Sequence, residues 1–115
     1  MSRITTHVLD TSAGLPAEGV PVVLERAAPE GDGWELVGRG TTDGDGRQRA
    51  LTPDGRRLAD GTYRLRFDTA AYFTRSGRQA FFPEVSVVFA IGAGDEHAHV
   101  PLLLAPYGYS TYRGS

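Results

Sequence analysis

Three histidines and a set of arginines define the chemistry open to this chain, because it contains neither lysine nor cysteine. The absent thiol removes a disulfide scaffold, a thiolate zinc site and a cysteine nucleophile. The absent amine removes a lysine Schiff base. His97 and His99 are two residues apart on a predicted strand, so they share one face. His7 falls on the less apolar face of the first predicted strand. Imidazoles on an outward strand face suit proton transfer, since their unperturbed pKa lies near about 6.5. Solvated strand residues are the ordinary alternative. A sharper alternative is zinc held by the three histidines with an open fourth position, although their spacing matches no strong zinc signature. Asp43-Gly-Asp-Gly46 reads as a tight turn and lacks the full ligand pattern of a calcium loop. Arg47 follows it at the mouth of a strand, and a guanidinium there can grip a planar anion in two-pronged fashion. The last nine residues hold three of the five tyrosines and end in Arg-Gly-Ser115. A closing strand accounts for the tyrosines but not for that ending.

The elements that must position these residues are short. The 115 residues fit one domain, spanning 1–115. The 15 glycines and 7 prolines are spread along the chain, which predicts many strands joined by turns. Strands are expected over 4–11, 20–26, 34–41, 47–50, 62–67, 83–91, 96–105 and 107–113. On the first, Ile4, Thr6 and Val8 take one face, and Thr5, His7 and Leu9 the other. Loops are expected at 12–19, 29–33, 43–46 and 52–61. A single helix is expected over 68–77, capped by Asp68 or Thr69 and ended by Gly77. The sum is an all-β fold: an antiparallel β-sandwich of about eight strands with one short helix. A sandwich this small fills its interior with its own side chains, so a site belongs on an outer face or between chains. The formal charge of -2 argues against a nucleic-acid footprint, and no apolar run is long enough to span a membrane. The start has no apolar signal core, so the expected location is cytoplasmic.

Four stretches carry a family resemblance. They are Thr6-His-Val-Leu-Asp-Thr11, Asp45-Gly-Arg47, His99-Val-Pro-Leu-Leu-Leu-Ala-Pro-Tyr107 and Tyr109-Ser-Thr-Tyr-Arg-Gly-Ser115. With Asp68-Thr-Ala-Ala-Tyr-Phe and Phe81-Phe-Pro-Glu-Val85, the chain resembles the 5-hydroxyisourate hydrolases, the transthyretin-related proteins, over nearly its whole length. The resemblance implies a prealbumin-type sandwich assembled as a homotetramer, with active sites in a channel where dimers meet. It implies hydrolytic ring opening of 5-hydroxyisourate, in urate degradation, to a carboxylated ureido-imidazoline, with no metal or cofactor. The matching catalytic positions are His7, Arg47, His99 and Ser115, with Arg47, His97, Tyr112 and Ser115 holding substrate. In this reading an imidazole takes a proton from water, Arg47 binds the anionic edge and the developing oxyanion, and Ser115 donates a hydrogen bond. Removing Ser115 is expected to damage catalysis. Ala98 stands where relatives often carry an aromatic residue, and its place on the opposite strand face predicts an effect on packing. The competing readings are a transthyretin-like carrier of an apolar molecule in the same channel, a three-histidine metallohydrolase and a purely structural module.

Overall fold

The first strand shows how the sequence dictates the architecture. In the computed structural model, which describes residues 3–53 and 58–115, β1 (Arg3–Asp10) buries Ile4, Thr6, Val8 and Asp10 on one face. Arg3 is exposed and His7 and Leu9 are half-buried on the other, as the period of two requires. The chain continues through β2 (Leu15–Pro16), β3 (Pro21–Ala27), β4 (Trp34–Thr41), β5 (Arg47–Gln48) and β6 (Gly61–Phe67). After α1 (Thr69–Arg75) come β7 (Val85–Ile91), β8 (His97–Ala105) and β9 (Gly108–Thr111). One sheet has the order β2-β1-β8-β9 with β5 also paired to β1, and the other has the order β4-β3-β6-β7. Ile4, Val8, Leu102 and Leu104 from the first sheet meet Leu24, Leu65 and Phe67 from the second in a core that excludes solvent. Burial of each large side chain there contributes roughly 1.5–3 kcal/mol.

The expected sandwich with one short helix is present, with the strands expected over 47–50, 83–91 and 107–113 shortened to Arg47–Gln48, Val85–Ile91 and Gly108–Thr111, and with two differences in pairing. A two-residue strand, β2, forms inside the predicted loop 12–19 and pairs Leu9 with Pro16. The other difference is one of direction: β1 pairs with β8 in parallel, from Arg3 beside His97 to Asp10 beside Leu104. Parallel neighbours need a long connection. Here the intervening chain crosses to the second sheet and returns, which local patterning does not reveal. Part of the predicted loop 52–61, residues 54–57, lies outside the described residues. No helix is long and apolar enough to cross a membrane among the described residues.

The end of β1 is tied to the helix by one carboxylate. Asp68 caps α1 by accepting the Ala71 amide at 3.0 Å. At the other end the amides of Gly77 and Arg78 donate to the carbonyls of Thr74 and Phe73. That pattern is a Schellman closure, with Gly77 at a positive φ of 71°. It turns Arg78 back toward β1, where its guanidinium donates to Asp10 Oδ2 at 2.7 Å. The Tyr72 hydroxyl donates to the same oxygen at 2.7 Å. Ser12 Oγ and the Ala13 amide donate to Oδ1 at 2.7 and 3.0 Å. Burial alone would push the Asp10 carboxyl up, but these donors outweigh it and hold the pKa well below the usual carboxylate range.

Asp10→Asn keeps the shape and removes the charge. It should cost about 1–3 kcal/mol of stability, seen as a lower urea midpoint at unchanged slope. Because the folded pKa is depressed, the stabilisation is full above about pH 5 and is lost as pH falls toward the folded pKa. The wild-type advantage should therefore shrink in acid, and a variant with the wild-type midpoint would contradict this role for Asp10.

Candidate active site

Sheet register lays the polar residues out as a grid on the outer face of the first sheet. β5 pairs with β1 so that Arg47 lies beside His7. Arg49 follows directly after β5 and lines the same recess as Thr5. On the other flank of β1, His97 lies beside Arg3 and His99 beside Thr5. Gly114 closes the next column through a bridge to His99. Thr5 therefore sits at the centre, and its neighbours leave it only 6% exposed. A short side chain at the centre of a ring of long ones makes a hollow. The resulting recess has a volume of about 260 Å³ and is lined by Arg3, Thr5, Arg47, Arg49, His97, His99 and Ser115, with Thr6 at its floor.

Two turns hold the rim. In the Asp43-Gly-Asp-Gly46 segment, Asp43 accepts the amides of Asp45 and Arg47 at 2.9 and 3.0 Å. Gly46 has a φ of 77°, and a Cβ there would meet the Val8 carbonyl oxygen at 2.3 Å. Only glycine lets this turn lie flat on β1, with the Val8 amide bonded to the Gly46 carbonyl at 2.7 Å. The turn also fixes His7, whose Nε2 is 2.8 Å from the Asp45 carbonyl oxygen. A carbonyl only accepts, so His7 carries a proton on Nε2. At the tail, the Gly114 amide donates to the His99 carbonyl at 2.8 Å. A Cβ on Gly114 would come within 2.6 Å of His99 Cδ2. The glycine of the Arg-Gly-Ser ending thus lets the tail lie against the His99 ring and delivers Ser115 to the recess.

His99 is the most perturbed of the imidazoles. Burial pushes its pKa down, and the positive fields of Arg47, His7, His97 and Arg49 push it further in the same direction. Neutral imidazole is the form so favoured. Thr5 Oγ1 lies 2.8 Å from His99 Nδ1 and fixes the ring orientation. The other ring nitrogen, Nε2, has no hydrogen-bond partner among the described residues. A neutral, oriented imidazole beside guanidinium groups can accept a proton while they stabilise the negative charge that results.

Of the residues expected from the sequence, Arg47, His97, His99 and Ser115 line the recess. His7 borders it through its pairing with Arg47. Tyr112 is not brought there. It lines a separate apolar recess of about 210 Å³ with Val87, Phe89, Ala98 and Val100. That recess sits between strands of the two sheets, because Tyr112 follows β9 at the sheet edge. Ala98 is buried beside it, in keeping with an effect on packing. The three histidines form no metal-ligand cluster with one another or with carboxylates among the described residues. Thr5, Arg3 and Arg49 were not singled out in the sequence. Alternation would have found them, since Arg3 and Thr5 share a face with His7, and Arg49 shares one with Arg47.

The HIUase/Transthyretin family model matches residues 4–114. A 5-hydroxyisourate hydrolase of Salmonella dublin is 49% identical over 112 residues, 97% of this chain and 80% of the relative. The solved structure of Klebsiella pneumoniae 5-hydroxyisourate hydrolase is 43% identical, with a TM-score of 0.85 and full coverage of both chains. Sea bream transthyretin in complex with thyroxine is 31% identical, with a TM-score of 0.88, covering 96% of this chain and 93% of that one.

The electrostatics of the grid can be read without any substrate. In an NMR titration the His99 ring should titrate below about 6.5, the unperturbed value. Arg47→Gln should move that midpoint upward, because it removes one of the charges that depress it. A His99 midpoint at or above the unperturbed value would contradict the geometry.

Proposed function

The chain belongs to the HIUase/Transthyretin family, and we propose that it is the hydrolase, not the carrier, of that family, opening the ring of 5-hydroxyisourate in urate degradation. The observation that carries this reading is His99, held by Thr5 in one recess with Arg47 and Ser115, its pKa pushed down by burial and neighbouring positive charge. A carrier of an apolar molecule needs an apolar wall, whereas the wall here is guanidinium, imidazole and hydroxyl.

His99 is the general base in this mechanism. The tautomer that serves as base carries its proton on Nδ1, 2.8 Å from Thr5 Oγ1, and leaves the Nε2 lone pair to take the proton of water. As the proton moves to Nε2, the water oxygen bonds to the ring carbonyl carbon. Arg47 stabilises the oxyanion that forms there, a contribution made where charge develops and not in the ground state. The imidazolium returns the proton to the ring nitrogen, the carbon–nitrogen bond breaks, and the carboxylic acid formed releases its remaining proton to solvent to give the carboxylate. Ser115 donates a hydrogen bond to the substrate or the water. His7, with Nε2 bonded to the Asp45 carbonyl, is held at the rim of the recess and helps to orient the ring. It is assigned positioning and binding, with His97 on the substrate side of the rim. Tyr112 would reach substrate only from a neighbouring chain.

The reading carries with it a cytoplasmic homotetramer with sites where dimers meet, and a reaction without metal. A recess of about 260 Å³ is smaller than ordinary ligand pockets, which occupy roughly 300–1,000 Å³. A facing copy would complete it and exclude water.

The direct assay follows the ultraviolet decay of freshly made 5-hydroxyisourate with and without protein. Acceleration by a single stereochemical route is expected, and decay at the spontaneous rate would reject the hydrolase. His99→Ala should lower turnover at least about 100-fold while assembly persists. Thr5→Val should cost about tenfold in kcat, the worth of one lost hydrogen bond. Thr5→Ser should restore it, since the hydroxyl is what orients His99. In the wild type the acid limb of kcat/KM should lie below about pH 6.5, because the base works only while neutral. Full activity in His99→Ala would overturn the assignment.

A further inference from the structure

Two guanidinium groups in the recess have no part in the mechanism above. Arg3 lies one side-chain repeat before Thr5 on the same face of β1, and Arg49 directly follows β5, which pairs with β1 through Gln48 and Arg47. Both line the recess with Arg47. Three cations therefore share one small hollow, with two imidazoles beside them. Elsewhere three arginines have close carboxylate partners: Glu25 meets Arg64 and Arg66, each at 2.7 Å, and Asp10 meets Arg78 at 2.7 Å. In the recess the pattern differs. The sole ion pair there among the described residues runs from Arg49 to Asp43 at 3.8 Å, with both side chains more than half exposed. Such a contact is close to energetically neutral. Arg3 and Arg47 have no carboxylate partner among the described residues.

Unneutralised guanidinium groups facing one hollow are a receptor for anionic oxygen, and their planar forks match a carboxylate best. Only one of them is needed at the carbonyl under attack. We propose that Arg3 and Arg49 form a carboxylate subsite next to the reacting centre, which receives the carboxylate that ring opening creates. The assignment of that carboxylate to the product rests on the hydrolase reading. The subsite itself rests on the charge arrangement. Ring opening turns a neutral ring carbonyl, held by Arg47 alone, into a carboxylate with two oxygens to satisfy. Arg3 and Arg49 take up the second oxygen and so set how tightly product is held. Bond breaking stays with His99 and Arg47.

The probe is N-carbamoylglycine, a stable ureido carboxylate, compared with its neutral amide. Binding to the full chain is followed by NMR shifts of the His99 ring, a readout independent of turnover. The carboxylate should bind at least tenfold more tightly than the amide, and added salt should weaken it. The double variant Arg3→Gln, Arg49→Gln should abolish the preference, and Arg3→Lys with Arg49→Lys should retain part of it. Both side chains are exposed, so the fold is not at stake. In the hydrolysis assay the double variant should lose inhibition by N-carbamoylglycine, whereas the wild type keeps it. Equal binding of carboxylate and amide, or unchanged binding in the double variant, overturns the subsite. Carboxylate preference in a protein that fails to accelerate 5-hydroxyisourate decay would instead overturn the hydrolase reading and leave the subsite standing.

Discussion

The register of β1 against β8 is the constraint on which the remaining geometry depends. It places Thr5 beside His99 and Arg3 beside His97, and it does so because the opposite face of β1 has nowhere else to go. Ile4 and Val8 are fully buried, and Thr6 satisfies its buried hydroxyl on the Val100 carbonyl at 2.6 Å. Asp10 anchors the strand end with four donors. A slip of one residue would drive His7 and Thr5 into the core and expose the apolar set. The same forces that build the core therefore aim the outer face. The site needs no separate scaffold, because it is the back of a strand whose front is fully committed.

The two sheets use arginine in opposite ways. On the second sheet, Glu25 collects Arg64 and Arg66, and Arg64 also lies 4.3 Å over the Trp34 ring. Those arginines are spent on structure, and the Arg66 partner is the leading reason the Glu25 carboxyl sits below its usual range. On the first sheet, the guanidinium groups face a hollow with little to neutralise them. Their mutual repulsion opposes folding, and their field depresses the His99 pKa. That arrangement is the expected signature of a site organised for a negative charge that arrives with the substrate or appears during reaction. The net charge of -2 conceals it, because the sum over the whole chain hides a local excess of positive charge.

Much of this was legible in the sequence where the physics is local. Alternation assigned the faces of β1 and β8, Asp and Gly spacing marked the turn that holds His7, and Asp68 with Gly77 bounded the helix. Motif resemblance supplied Arg47, His99 and Ser115, which the fold gathers into one recess. What was not legible is what depends on which strands become neighbours. The parallel pairing of β1 with β8, and so the place of Thr5 beside His99, follows from contacts between distant segments, whereas the shared face of Arg3, Thr5 and His7 was open to alternation. Tyr112 shows the reverse. Its motif pointed to the site, but its place past the end of an edge strand turns it toward the apolar recess within a single chain. The Arg-Gly-Ser ending acquires a physical reason only in three dimensions, since Gly114 is needed for its close approach to His99.

The central requirement is that chemistry happens over Thr5, on the outer face of the first sheet. A crystal structure with an unreactive cyclic analogue of 5-hydroxyisourate bound tests this most directly. The expected result places a ring carbonyl within hydrogen-bond reach of Arg47, with His99 Nε2 facing the carbon to be attacked and Ser115 beside it. An analogue seated in the apolar recess beside Tyr112 and Phe89, with the grid around Thr5 vacant, would contradict the account.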